Sequence, residues 1–162
     1  MLARMTGVAA ALLLLAACSS TPEPAPAPGP GYAPSGGPVS SSFAPGSQQD
    51  LAATAGDRVF FAYDRADISG EAQQILQRQA QWLRRYPNVT VTIEGHCDER
   101  GTREYNLALG ERRAQAVKNV LVAMGIPAGR LSTTSYGKER PAVVGSSEEA
   151  YAQNRRAVTV VN

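Results

Sequence analysis

From about residue 57 to the C-terminus, apolar and polar positions alternate between two periods, and the switches between them mark out a small domain. Residues 58–63, RVFFAY, have the β-branched and aromatic content of a strand. Ser69 is placed to cap a helix over 71–86, with Glu71 in its first turn and Pro87 as its stop. Ala72, Ile75, Leu76, Trp82, Leu83 and Tyr86 form one apolar stripe on that helix, which assigns the lone Trp82 to the core. The alternation Val89-Thr90-Val91-Thr92-Ile93 predicts a half-buried strand over 89–94. A second helix, about 103–124, would be capped by Thr102, bury Leu107, Ala114, Val117, Leu121 and Met124, and end at Gly125 before Pro127. Residues 131–136 read as a third strand. Ser146-x-x-Glu149 reads as a capping box for a short helix, and 157–161 as a last strand. The order is βαβαβ(α)β, an α/β (α+β) domain with helices packed on one sheet, and strand-helix-strand units favour parallel pairing.

The first third of the chain follows neither period. Residues 1–17 carry one charge, Arg4, ahead of an apolar run too short to span a bilayer, which is the pattern of an export signal. The run ends in Leu15-Ala16-Ala17-Cys18, which resembles a bacterial lipobox and implies that Cys18 is acylated as the first mature residue. Each buried methylene of an acyl chain contributes about 0.8 kcal/mol, so several chains would anchor the protein without spanning. Ser19, where an aspartate would favour inner-membrane retention in many bacteria, implies an outer-membrane destination facing the periplasm. Residues 18–56 are rich in Pro, Ala, Gly and Ser and hold too few large apolar side chains for a core, so they read as a disordered tether. Extended at roughly 3.1 Å per residue, such a tether reaches on the order of 100 Å. The domain proper is then 57–162.

Polar chemistry concentrates in one stretch, EGHCDERGTREYNLALGERRA, residues 94–114. A strand end, a charged loop at 96–101 and a helix start place Asp98 beside a helical stripe of Asn106, Gly110 and Arg113. A carboxylate and a guanidinium at one junction suit a small zwitterion, whose ammonium would pair with Asp98 and whose carboxylate would be held bidentately by Arg113. A charged, solvated helix face has the same composition, so spacing alone leaves both readings open.

Three runs carry a resemblance: Gly95-His96-Cys97-Asp98-Glu99-Arg100-Gly101, then Glu104-Tyr105-Asn106, then Leu109-Gly110-Glu111-Arg112-Arg113-Ala114. Together they resemble the signature of the OmpA-like peptidoglycan-binding domain family, and the likeness extends over essentially all of 59–161. Tyr136 to Val143 and Tyr151 to Val158 are similar to its lipoprotein branch. The resemblance implies a mixed sheet and a site for meso-diaminopimelate of the peptidoglycan stem peptide, with Asp98 and Arg113 as the principal pair. Phe61-Ala62-Tyr63-Asp64 resembles the family's F-x-F-D, which brings Tyr63 and Asp64 to the site. Leu109 matches an apolar contact, Asn106 a polar residue in or just behind the site, and Asn154-Arg155-Arg156 a brace for the ligand loop. The implied partners are peptidoglycan, the outer membrane through the lipid, and a TolB-like periplasmic β-propeller of the Tol-Pal system that acts in envelope constriction at division. A module serving mainly that protein partner, with incidental wall binding, is the alternative.

Other chemistries fit less well. His96, Cys97, Asp98 and Glu99 are all potential metal ligands, but four consecutive residues do not easily converge on one ion and no second histidine exists. No serine or cysteine nucleophile has a matching partner, so neither an enzyme nor a cofactor is expected. Cys97 stands where many of the relatives implied by the resemblance carry threonine or alanine; with Cys18 acylated it has no disulfide partner, which favours a buried, inert thiol over intermolecular oxidation. The net charge is +2, and without Arg4 there are 15 basic against 14 acidic residues, so nonspecific binding to nucleic acid is not implied.

Overall fold

A computed structural model describes residues 43–162; the export signal, Cys18 and most of the expected tether lie outside them. The elements in chain order are helix α1 (Gln48–Thr54), strand β1 (Arg58–Phe60), helix α2 (Gly70–Arg85), strand β2 (Val91–His96), helix α3 (Arg103–Ala123), a 3-10 turn (Ala128–Arg130), strand β3 (Leu131–Gly137), helix α4 (Glu148–Asn154) and strand β4 (Arg156–Val161). The four strands form one mixed sheet in the order β1-β4-β2-β3. The unit β2-α3-β3 gives adjacent parallel strands, as the sequence pattern predicts. Between β1 and β2, however, the last strand is inserted, antiparallel to both.

The core lies between the sheet and α2 and α3. Val91 and Ile93 on β2 point into it, joined by Val59, Leu76, Leu83, Val117 and Leu121, all essentially inaccessible to water. Trp82 is in the core as expected, its indole N–H donating to Asp50 at 3.0 Å. Leu107 and Met124, expected to be buried, are only half-buried.

Several boundaries differ from the sequence reading for local reasons. β1 ends at Phe60, because after Phe61 N–H bonds to Arg155 the chain turns at 62–65 and Asp64 takes a left-handed φ of 55°. β2 begins at Val91 instead of Val89, whose N–H closes a turn onto Tyr86, and it runs on through Gly95 and His96 with a register shift against β3. The cap of α4 is Ser147, whose hydroxyl accepts from Ala150 N–H, one residue beyond the expected Ser146.

The largest difference is at the tether. Residues 48–54, expected in the unstructured segment, form α1, capped by Ser47, with Leu51 fully buried against the core. Asp50 is buried too; the N–H of Gly46 and the Trp82 indole hold its carboxyl below the usual range against the opposing effect of burial. The folded unit therefore includes these residues. Leu51→Ala should cost about 2–5 kcal/mol of stability in urea unfolding; a change below about 0.5 kcal/mol would show that α1 is not part of the cooperative unit.

Candidate functional site

The site forms where β2 ends. Gly95 meets Gly110 of α3 so closely that a Cβ on Gly95 would lie 1.8 Å from the Gly110 carbonyl oxygen, so glycine is required on the strand. This contact brings α3 down onto the sheet edge and places Arg113, one turn further on, beneath the loop that follows β2. Cys97 N–H bonds to Gly137 O at 2.8 Å and ends the strand pairing. Thr102 caps α3, its hydroxyl accepting from Tyr105 N–H. Asn106 reaches back from the first turn of α3 and donates to Arg100 O at 2.8 Å and Thr102 O at 3.0 Å, fastening the loop.

Between this loop, the 62–65 turn and α3 lies a cavity of about 240 Å³. All six residues inferred from sequence, Tyr63, Asp64, Asp98, Asn106, Leu109 and Arg113, line it. Cys97, Arg100, Gly101 and Tyr105 line it as well. Tyr105 donates its hydroxyl to Asp64 and fixes the carboxylate at the mouth. That tyrosine and Arg100 were not singled out in the sequence, although both sit inside the motif that carries the resemblance. Cys97 is a buried free thiol whose pKa burial pushes up, as expected for an inert position; its Sγ lies 3.3 Å from Asn106 O.

Arg113 behaves differently from the sequence expectation. It is fully buried, and four of its five N–H groups are engaged: Nε with Arg65 O at 2.8 Å, Nη1 with His96 O at 2.7 Å and with Cys97 Sγ at 3.4 Å, and Nη2 with Ala62 O at 3.2 Å. A bidentate grip on a carboxylate is therefore not available from this side chain alone. None of these partners is a carboxylate, so the charge is buried without a paired anion, and desolvation lowers its pKa.

Asp98 is buried and, in contrast, surrounded by cations. Arg100 Nη2 meets Oδ2 at 2.6 Å, Arg100 Nε and N–H meet Oδ1 at 3.2 and 3.1 Å, and Arg155 Nη1 lies 3.4 Å from Oδ2. Burial raises the carboxyl pKa, but the hydrogen bonds and charge of Arg100 outweigh it and hold Asp98 below the usual range. Arg155 also donates to Phe61 O and to Glu148; of the Asn154-Arg155-Arg156 run it alone reaches the ligand loop, at Asp98, while Asn154 fastens Ala142 and Val143 in the loop before α4.

His96 is buried and does not line the cavity, and neither of its ring nitrogens is hydrogen-bonded. Glu94 lies 3.5 Å from Nε2, but burial and the Arg156 guanidinium oppose protonation and push the pKa down to about 4. Among the described residues no group of three or more His, Cys, Asp or Glu side chains is arranged to hold a metal, and no helix is long and apolar enough to cross a membrane.

A model of the OmpA family matches residues 60–155, a span that includes the cavity and strands β2 and β3. The chain belongs to the OmpA family. Within the OmpA family it is 58% identical over 122 residues to the peptidoglycan-associated lipoprotein of Agrobacterium fabrum, covering 75% of this chain and 69% of that protein. The corresponding protein of Haemophilus influenzae is 46% identical over 151 residues, 93% of this chain and 92% of its own length. Among solved structures, the peptidoglycan-associated lipoprotein of Burkholderia pseudomallei superposes with a TM-score of 0.64 at 42% identity, over 65% of this chain and 90% of that one. The C-terminal domain of Helicobacter pylori MotB, at 24% identity, 65% and 84% coverage and a TM-score of 0.61, shares the fold.

The depressed groups make stability pH-dependent. His96 stays neutral when folded but gains a proton near 6.5 when unfolded, so its contribution is lost as pH falls from about 6.5 to about 4. The loss is about 3 kcal/mol by that shift. Asp50 and Asp98 add a further loss only below their ordinary value of 3.8. Urea unfolding across pH 7 to 4 should show the first decline, and His96→Phe should flatten it; an unchanged slope in that variant would refute the assignment.

Proposed function

We propose that the cavity binds the zwitterionic end of meso-diaminopimelate in peptidoglycan stem peptides, without turnover, and that the chain is an outer-membrane lipoprotein tying the cell wall to that membrane from the periplasmic side. The observation that carries this reading is Arg113: a fully buried guanidinium with no carboxylate partner lines a cavity whose opposite charge is Asp98. A bound carboxylate supplies the missing anion, and an ammonium beside it meets Asp98 and Asp64. Leu109 and Tyr63 offer apolar surface to the methylenes between the two ends. The names of the relatives, peptidoglycan-associated lipoproteins, support both the wall ligand and the acylation of Cys18.

A single site of this kind is modest in affinity, with each charge-assisted bond contributing about 1.5–3 kcal/mol. Firm attachment then comes from many membrane-held copies acting on a polymer of repeated stem peptides. In the same reading the mouth of the cavity also meets a TolB-like protein of the Tol-Pal system during envelope constriction. The exposed rings of Tyr63 and Tyr105 on the rim support a protein docking there.

Asp98→Asn keeps the shape of the loop and removes its charge. Co-sedimentation of the full-length variant with purified sacculi should fall at least about tenfold relative to the parent chain, with the circular dichroism spectrum retained. Undiminished sedimentation would overturn the proposal. Arg113→Ala is the poorer probe, because it removes the donor that joins three carbonyls and should destabilise the domain by several kcal/mol.

A further inference from the structure

The arrangement around Asp98 leaves no vacancy for a ligand cation. A carboxylate has about four acceptor positions, and here Oδ1 takes Arg100 N–H and Nε while Oδ2 takes Arg100 Nη2 and Arg155 Nη1. Of the two guanidiniums, Arg155 is buried and pinned to Phe61 O and Glu148, whereas Arg100 is one-third exposed and lies at the cavity wall. Arg100 is held from both sides by aromatic rings, Tyr63 at 4.1 Å and Tyr151 of α4 at 4.3 Å, and from outside by Glu148 at 3.4 Å. Tyr151 is in turn fixed by its hydroxyl, which donates to Glu99 at 2.8 Å.

We propose that Arg100 is an exchangeable internal counter-ion that sets the selectivity of the site: it occupies Asp98 when the cavity is empty, and an incoming ammonium must displace it. The inference rests on the zwitterion reading given above. Displacement breaks a two-point charge-assisted contact and replaces it with a one-point ammonium contact, so a ligand carrying only an amine gains little. A ligand carrying a carboxylate beside the amine also neutralises Arg113, and that second contact offsets the exchange. Arg100 thereby rejects lysine-type stem peptides, which present the amine alone, and admits diaminopimelate-type ones. The tyrosine pair holds the guanidinium by cation–π contact in its place on Asp98 and so adds to the cost of displacing it.

The test is calorimetric titration of the full-length chain in detergent with two synthetic stem peptides, identical except for meso-diaminopimelate or lysine at the third position. The parent chain should bind the diaminopimelate peptide at least about tenfold more tightly than the lysine peptide. Arg100→Gln, which vacates Asp98 without disturbing the core, should bind the lysine peptide about tenfold or more tightly than the parent does, and so lose most of the preference. Tyr151→Leu, which removes one ring from the pair and does not line the cavity, should shift the preference in the same direction by a smaller factor. Lysine-peptide binding that is unchanged or weaker in both variants, with the folded spectrum retained, would overturn the exchange role and identify Arg100 as an ordinary ligand contact or a structural brace. If the parent chain binds neither peptide, the zwitterion reading itself fails, and the inference with it.

Discussion

The structure of the site depends on one buried side chain. Arg113 gathers carbonyl oxygens from Ala62 and Arg65 in the turn after β1 and from His96 at the end of β2, two segments far apart in sequence. Burying a guanidinium without a paired carboxylate is costly, and only good hydrogen-bond geometry makes it tolerable. The consequence is a rigid floor with residual positive charge, open on one side to a cavity. The same geometry requires α3 to sit almost in contact with β2, which the Gly95 and Gly110 pair permits and any larger residue on the strand obstructs.

Opposite that floor, the carboxylates are arranged by different means. Asp98 is fixed by arginines from its own loop and from the end of α4, while Asp64 is fixed by the Tyr105 hydroxyl and by a left-handed backbone turn. The two charges of opposite sign at the cavity, Arg113 and Asp98, thus do not neutralise one another. Each is supported by a separate network, and in the proposed function a ligand that carries both charges bridges the two.

Much of this was legible in the sequence. The 3.6-residue stripe of α2, the caps at Ser69 and Thr102 and the stop at Gly125 gave helices within a residue or two of those observed. The runs that carry the resemblance name Asp98, Asn106, Leu109 and Arg113, the Phe61-Ala62-Tyr63-Asp64 run names Tyr63 and Asp64, and all six line one cavity. Helix α1 was not legible, because QQDLAAT offers a single large apolar residue, Leu51, next to a run of Pro, Gly and Ser, and only tertiary packing reveals that it is buried. The insertion of β4 between β1 and β2 is likewise a long-range pairing that no local pattern encodes. The duty of Arg113 was misread for a related reason. Spacing along a helix tells where a guanidinium points, but the allocation of its five donors depends on carbonyls contributed by distant turns. Arg100 was overlooked because a charged loop residue next to Asp98 reads as solvated surface until the rings of Tyr63 and Tyr151 are seen on either side of it.

Residue-resolved NMR of the isotopically labelled chain, titrated with a diaminopimelate stem peptide, tests the buried-cation site most directly. Saturable shifts at the Arg113 Nε–H and at the backbone of Asp64 and Asp98, with the Trp82 indole signal unmoved, are the expected result. Shifts confined to other surfaces, or none at Arg113 at saturating peptide, would contradict it.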